Sequence, residues 1–263
     1  MVTSPEAYQP LPNIAGVSRP LSPGTYQPLP DDADVSRFLK DATSEVRAGF
    51  VRKVYGILSA QLLLTAAVAF PVASHGKHFV QTHASLFAAA TAVLFLSMIV
   101  MVCCQETARR FPQNYTLLFL FTAAEGVLVG AVCAAYTWTS VGLAASTTAL
   151  VFFAMTLYAV KTKTDFTGLG GYLLAGLCSL MFAGMMFSIL AMCGVHIPGL
   201  VMLYDVVGVL IFTLYIVYDT QMIIGGDHKV SFGIDDYVFA AMMLYVDIIN
   251  LFLYLLELFG DRK

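Results

Sequence analysis

Charge is scarce in this 263-residue sequence. Charged residues make up 12% of it, about half the usual share of a soluble domain. A soluble fold cannot cover its surface with so few charges, so a water-exposed globular domain is excluded. The net charge of −3 leaves no basic footprint for nucleic acid. The five cysteines are odd in number and fall in apolar runs, without the paired spacings of a disulfide framework or a zinc site. They read as small buried hydrophobes. No basic start followed by an apolar core and a small-residue cleavage site opens the chain. A cleaved signal peptide is therefore not expected, and the first membrane helix acts as its own insertion signal. What fills the sequence instead is apolar: 59% hydrophobic residues and a mean hydropathy of +0.78. Such a chain has lipid as its main solvent.

Residues 1–36 stand apart from the rest. They carry most of the ten prolines and a duplicated motif, Tyr8-Gln9-Pro10-Leu11-Pro12 and Tyr26-Gln27-Pro28-Leu29-Pro30. This composition cannot bury a core and predicts a disordered, extended tail. The tail is either plainly solvated or a pair of docking motifs for cytosolic adaptors. Residues 37–263 hold seven apolar runs, at 54–74, 84–104, 115–136, 141–160, 172–193, 200–224 and 237–259. Each reaches the roughly 20 residues that cross a bilayer. The expected fold is an all-α membrane protein of seven transmembrane helices with short connections. With a cytosolic N-terminus, the inner segments hold Arg37, Lys40, Arg47, Arg52, Lys53, Arg109, Arg110, Lys161, Lys163 and Lys229, and the outer ones only Lys77, Arg262 and Lys263. That bias favours the N-inside orientation. Seven spans then put residues 260–263 outside, unless the last helix is re-entrant.

Gly126 and Gly130 form a G-x-x-x-G pair on the third run, and Gly168, Gly170, Gly171 and Gly176 lead into the fifth. Both sets read as helix-packing devices. His75, His78 and His83 sit in the first loop, either as solvated residues or as a weak metal or pH site. Cys103-Cys104 ends the second run, where palmitoylation is chemically feasible.

The informative residues are five acids inside the runs: Glu125, Asp205, Asp219, Asp247 and Glu257. No lysine or arginine lies in any run to neutralise them. A carboxylate in hydrocarbon costs at least about 2.5 kcal/mol, so such residues face a cavity, share a proton or hold a cation. Spacing orders them. Asp247, Asn250, Tyr254 and Glu257 make one stripe on the seventh run; Asp205, Gly208, Phe212, Tyr215 and Asp219 make another on the sixth. The short 225–236 connection makes these two helices antiparallel neighbours. Asp219 and Asp247 then differ in depth by under about 8 Å, and they meet if one helix runs past its expected end. Two carboxylates sharing one site cannot both ionise easily, which suits a proton sensor or divalent-cation site. Asp205 and Glu257 lie near span ends and can instead reach the interface. Glu125 is either part of a pathway or a protonated hydrogen-bond partner between helices.

The stretch Tyr218-Asp219-Thr220-Gln221, followed by Asp235-Asp236-Tyr237-Val238-Phe239-Ala240-Ala241 and Leu244-Tyr245-Val246-Asp247-Ile248-Ile249-Asn250-Leu251-Phe252, closely resembles the transmembrane Bax-inhibitor motif family, on its Lifeguard branch. Arg47…Phe50-Val51-Arg52-Lys53-Val54-Tyr55 with Gln61-Leu62-Leu63, Glu125-Gly126 and Thr164-Asp165-Phe166 match as well. The resemblance covers about residues 45–260. It implies seven helices with the last surrounded by the others, and a passive, pH-regulated calcium leak from endoplasmic reticulum or Golgi stores that suppresses cell death. Calcium would be the permeant ion and protons the regulator, with no cofactor and no enzymatic activity. It places the pH sensor at Asp219 and Asp247 and a basic latch at Arg109 or Arg110. The chain departs from the pattern at Met243 and Glu257, where relatives commonly carry Asn and Arg.

The expected function is therefore a calcium leak gated at Asp219–Asp247, with Glu125, Asp205, Tyr215, Asn250, Tyr254 and Glu257 lining the path. Expected partners are the lipid bilayer, calcium, and cell-death regulators, calcium-release channels or adaptors on the tail. One rival is a non-conducting scaffold acting through that tail. Another is an intramembrane aspartyl protease, but it needs a G-x-G-D motif where this chain has Leu244-Tyr245-Val246-Asp247. A retinal protein is excluded because the seventh run has no lysine. A G-protein-coupled receptor would need an external N-terminus.

Overall fold

A computed structural model describes residues 44–104, 109–195, 197–226 and 228–263. The proline-rich tail and its duplicated motif lie outside the described residues. Eight α-helices account for most of what is described: α1 (Ser44–Ser74), α2 (Gly76–Thr82), α3 (Ala84–Cys103), α4 (Gln113–Cys133), α5 (Trp138–Lys161), α6 (Gly170–Met192), α7 (Pro198–Ile224) and α8 (Tyr237–Phe259). All but α2 are long and apolar enough to cross a membrane. Among the described residues there is no β-strand beyond one isolated bridge, Tyr136 to Arg262.

Local chemistry sets the helix ends. Hydropathy alone starts the first span at 54, yet α1 begins at Ser44 and carries Arg47, Arg52 and Lys53 ahead of the apolar stretch while burying Phe50. Hydropathy marks the hydrocarbon-soluble stretch and not the helix. The third and fourth runs were expected to end at 136 and start at 141. The chain turns earlier, because the Thr137 hydroxyl accepts from the Ser140 amide at 3.3 Å and opens α5 at Trp138. Proline opens α7, where its missing N–H costs nothing. Gly225, at φ 63°, closes it in a conformation that glycine tolerates.

The last helix is the centre of the bundle. The most apolar stretch of α8 is 61% buried, against 11–44% for the other six spans. Its main partners are α7, α1, α5 and, less extensively, α4, while α3 packs on α4 and α6 packs on α7 as outer helices. The G-x-x-x-G pair does what its spacing suggests. A Cβ on Gly130 would lie 2.7 Å from Val72 Cβ, and one on Gly126 would lie 3.0 Å from Val68 Cβ. Only hydrogen at these positions lets α4 approach α1 so closely.

The segment after α8 does not turn back into the bundle. The Thr137 amide donates to Asp261 O at 3.0 Å and the Lys263 amide donates to Ala135 O at 2.9 Å. Residues 260–263 therefore lie on the face of the α4–α5 turn, opposite the 225–236 connection, and the re-entrant alternative is closed.

Candidate functional site

The α7–α8 contact carries both acid stripes, and they face each other. At its centre Tyr254 of α8 lies over Gly208 of α7, where a Cβ would sit 2.7 Å from the ring. Tyr254 stacks on Phe212 with centroids 5.8 Å apart, and Phe212 abuts Tyr215 at 6.1 Å. The Tyr254 hydroxyl is 2.9 Å from that of Tyr204. Aromatic rings thus fill the middle of the interface and separate two acidic ends.

At one end Asp219 and Asp247 come together. Asp219 is 0% and Asp247 4% exposed, and the two carboxyl groups lie close enough to act as hydrogen-bond partners. The helices end where hydropathy placed them, so no extension brings the acids into contact. The connection folds over the end of α7, where the Phe232 amide reaches Met222 O at 3.4 Å, and Asp219 and Asp247 meet across the interface although they lie five and ten residues inside their helix ends. Both oxygens of Asp219 and Oδ2 of Asp247 are buried without a donor. Carboxylates only accept, so a proton shared between the two groups would satisfy two of these three oxygens.

The opposite end holds Asp205, which is 2% exposed, and Glu257, which is solvent-exposed and bonded at 2.9 Å to Arg262 Nη2. Asn250 is half-buried and donates to its own helix at Val246 O. Glu125 is half-buried on α4, outside this interface, within electrostatic reach of Tyr245. The Tyr245 hydroxyl is 2.7 Å from that of Thr65 on α1. An apolar cavity of about 500 Å³ lies on the other side of α8, between α1 and α5, lined there by Ile248, Ile249 and Phe252. It does not touch the acid stripes.

Arg109 binds Asp236, with Nε to Oδ1 at 2.7 Å and Nη2 to Oδ2 at 3.2 Å. That hydrogen bond and the neighbouring negative charge raise its already high pKa. Asp236 lies eleven residues before Asp247, about 16 Å along the helix, so Arg109 is not seated on the acid pair. Arg110 is in the same turn, and its carbonyl accepts from the Asn114 amide at 3.0 Å. The three loop histidines each contact their own turn, His75 Nδ1 at 2.6 Å from Pro71 O and His83 Nδ1 at 3.1 Å from Phe79 O, with Phe79 between the two rings. His78 Nδ1 lies 3.5 Å from the Thr82 hydroxyl. Among the described residues no group of three metal-ligating side chains converges. Cys103 and Cys104 are exposed at the end of α3.

One feature of the site escapes sequence spacing. Gln221, two residues past Asp219 and 0% exposed, accepts from the Phe166 amide at 2.7 Å and donates to Thr164 O at 2.9 Å. Asp165 then accepts from the Thr167 hydroxyl at 2.6 Å, the Thr167 amide at 3.0 Å and the Lys229 amide at 3.1 Å, with His228 Nδ1 at 3.4 Å. The connection between α5 and α6 is clasped to the one after α7, directly beside the acid pair. A buried glutamine at a span end has to find partners, and both Gln221 and Thr164-Asp165-Phe166 fall in the stretches that carry the family resemblance, but nothing in their spacing joins them.

The profile of the family described as "Inhibitor of apoptosis-promoting Bax1" matches residues 47–263. The chain is 36% identical over 221 residues to human "Protein lifeguard 3", covering 83% of this chain and 70% of that protein. It is 34% identical over 220 residues to the mouse protein of that name, covering 83% and 71%. Over 225 residues it is 36% identical to "Protein LIFEGUARD 4" of Arabidopsis thaliana, covering 82% and 85%.

Proposed function

The chain belongs to the Bax-inhibitor family of multi-pass membrane proteins linked to suppression of cell death, and from that premise we propose that it is a calcium leak of an intracellular membrane controlled by the protonation of Asp219 and Asp247. The observation that carries this reading is the sealed acid pair: two carboxyl groups in contact, buried, with no donor to three of their oxygens. With one proton between them the pair carries a single negative charge. Removing that proton places two like charges side by side at low dielectric, which strains the α7–α8 contact; adding a second neutralises the site. Each protonation step therefore acts on the helix interface that holds both acid stripes. Calcium, a hard dication with a preference for carboxylate oxygen, is the ion such a path would favour.

The N-terminus is cytosolic in this reading, which puts the acid pair and the Gln221 and Asp165 clasps toward the cytosol. A cation entering from the store would meet Asp205 and Glu257 first and pass the Tyr254–Phe212–Tyr215 rings before reaching the pair. Calcium flux of the purified protein in liposomes across pH 5–8 tests the proposal. Asp247→Asn should lower the flux and flatten its pH dependence. An unchanged rate with an unchanged pH profile would sink the reading.

A further inference from the structure

The end of the α7–α8 interface opposite the acid pair holds a second arrangement that the leak reading does not require. The segment after α8 is strapped across the α4–α5 turn. Gly260 packs on Tyr136, where a Cβ would lie 2.6 Å from the ring. The Asp261 amide donates to the Ser140 hydroxyl at 2.9 Å, and backbone bonds tie Asp261 to Thr137 and Lys263 to Ala135. Lys77 donates to Lys263 O, and the Lys263 ammonium sits 5.3 Å from the centre of the Trp138 ring. The strap presents Arg262 to the bundle. Its Nε donates to the Tyr136 hydroxyl at 3.2 Å and its Nη2 donates to Glu257 Oε1 at 2.9 Å.

Behind that ion pair lies Asp205. It is 2% exposed, its Oδ1 is buried with no donor, and it is within electrostatic range of both Glu257 and Arg262. Tyr136 and Tyr254 lie within the same range of both acids. Gly208 of α7 packs on Tyr254 of α8, so these antiparallel helices set Asp205 and Glu257, each one turn nearer this end, opposite each other; the guanidinium bonds Glu257 and leaves Asp205 Oδ1 without a donor. The guanidinium is held weakly. The Arg262 and Glu257 side chains are 65% and 39% exposed, and pairs this open contribute little net stability.

We propose that Asp205 and Glu257 form a weak divalent-cation site at this end of the bundle, occupied by the chain's own Arg262 until an ion such as calcium displaces it. A dication neutralises both acids where one guanidinium cannot. Calcium accepts a mixed shell of carboxylate, carbonyl and water oxygens and tolerates irregular geometry, so two side-chain acids suffice for a low-affinity site. Displacing Arg262 removes its bonds to Tyr136 and Glu257, so ion binding would loosen residues 260–263 from the 135–137 turn. The inference does not depend on conduction.

Terbium, a luminescent stand-in for calcium that nearby tyrosines sensitise, reads the site directly on the full chain in detergent micelles. Tyr136 and Tyr254 supply the antenna. Arg262→Gln should tighten terbium binding about tenfold by removing a tethered competitor, and calcium should displace the signal. Adding Glu257→Gln to that variant should abolish the gain. Amide exchange at Thr137 and Lys263 in the unmodified chain should quicken when millimolar calcium is added. The proposal is overturned by binding that Arg262→Gln leaves unchanged, by a signal that survives Glu257→Gln, by a signal that Asp247→Asn removes instead, or by exchange rates indifferent to calcium.

Discussion

The same two helices carry two acid pairs that solve the burial problem in opposite ways. Asp219 and Asp247 are sealed and, with no donor on three oxygens, have only each other. Asp205 and Glu257 lie at the other end, fourteen residues from Asp219 along α7 in the case of Asp205, or about 21 Å. There a guanidinium arrives from the strap, and Glu257 stays half open to solvent. Periodicity put all four acids on one interface, but depth and chain connection decide what each can do. A carboxylate at a helix end can be met by a residue from the next segment. One six residues inside a span can be met only by another side chain within the bundle. In the proposed reading, the sealed pair answers to protons and the open pair to cations.

The sharpest way to break this contrast is to exchange the acids for amides at each end in turn. Asp247→Asn should lower calcium flux about tenfold or more and erase its dependence on pH between 5 and 8, since one amide leaves no proton to share. Glu257→Gln should change flux by less than about threefold and leave the pH profile intact, because its carboxylate is already paired and exposed. Liposome flux measured on both variants decides it. If the two variants behave alike, the ends are not distinct. The separation itself rests on the aromatic plug. Gly208→Val should push Tyr254 off Phe212 and cost about 1–3 kcal/mol by overpacking, read as a fall in the thermal midpoint. An unshifted midpoint would mean that Tyr254 can move aside freely.

A smaller effect is expected at the clasp beside the sealed pair. Burial opposes the charge on Asp165, but hydrogen bonds from the Thr167 hydroxyl and the Lys229 and Thr167 amides, with His228 beside it, outweigh that and hold its pKa at about 2 against an ordinary 3.8. The folded value is the lower one, so the group's contribution to stability is complete above about pH 4 and is lost as pH falls through 2. The thermal midpoint of the unmodified chain should therefore drop between pH 4 and 2 by more than that of Asp165→Asn. Equal slopes would show that the clasp carries no net stabilisation.

Much of this was legible in the residues. Seven apolar runs became seven spans, because satisfying the backbone inside lipid leaves few alternatives to a helix. The stripes became an interface, because a period of 3.6 residues fixes which side chains share a face. Three things were not legible. The extension of α1 past Lys53 is set by water-exposed helix, to which hydropathy is blind. The meeting of Asp219 with Asp247 depends on the relative depth at which α7 and α8 are set, and the loop path that sets it leaves no periodic trace. By sequence, Arg262 is one of three charged residues after the last run, and enters the reading only through the charge bias of the loops. Its seat on Glu257 follows from the strap's backbone pairing with Ala135 and Thr137, a long-range contact between segments more than a hundred residues apart.

Each end of α8 carries an exposed arginine–acid pair, Arg109 with Asp236 where the helix begins and Arg262 with Glu257 where it ends, and the first of these offers the mildest test. Its side chains are 45% and 20% exposed, so Asp236→Asn should cost about 0.2–1 kcal/mol. That loss should shrink as salt rises, since the charges lie within reach of screening ions. The consequence for the sealed pair matters more than the stability change. Asp236→Asn releases Arg109 about 16 Å along α8 from Asp247. If the arginine is held only by Asp236, flux in liposomes keeps its pH profile after the substitution. If the freed guanidinium swings to Asp219 and Asp247, it supplies the donor they lack and favours their ionised forms, and the pH profile moves to lower pH. The first outcome keeps the two ends of α8 equivalent as surface pairs; the second makes Asp236 the competitor that withholds a cation from the acid pair.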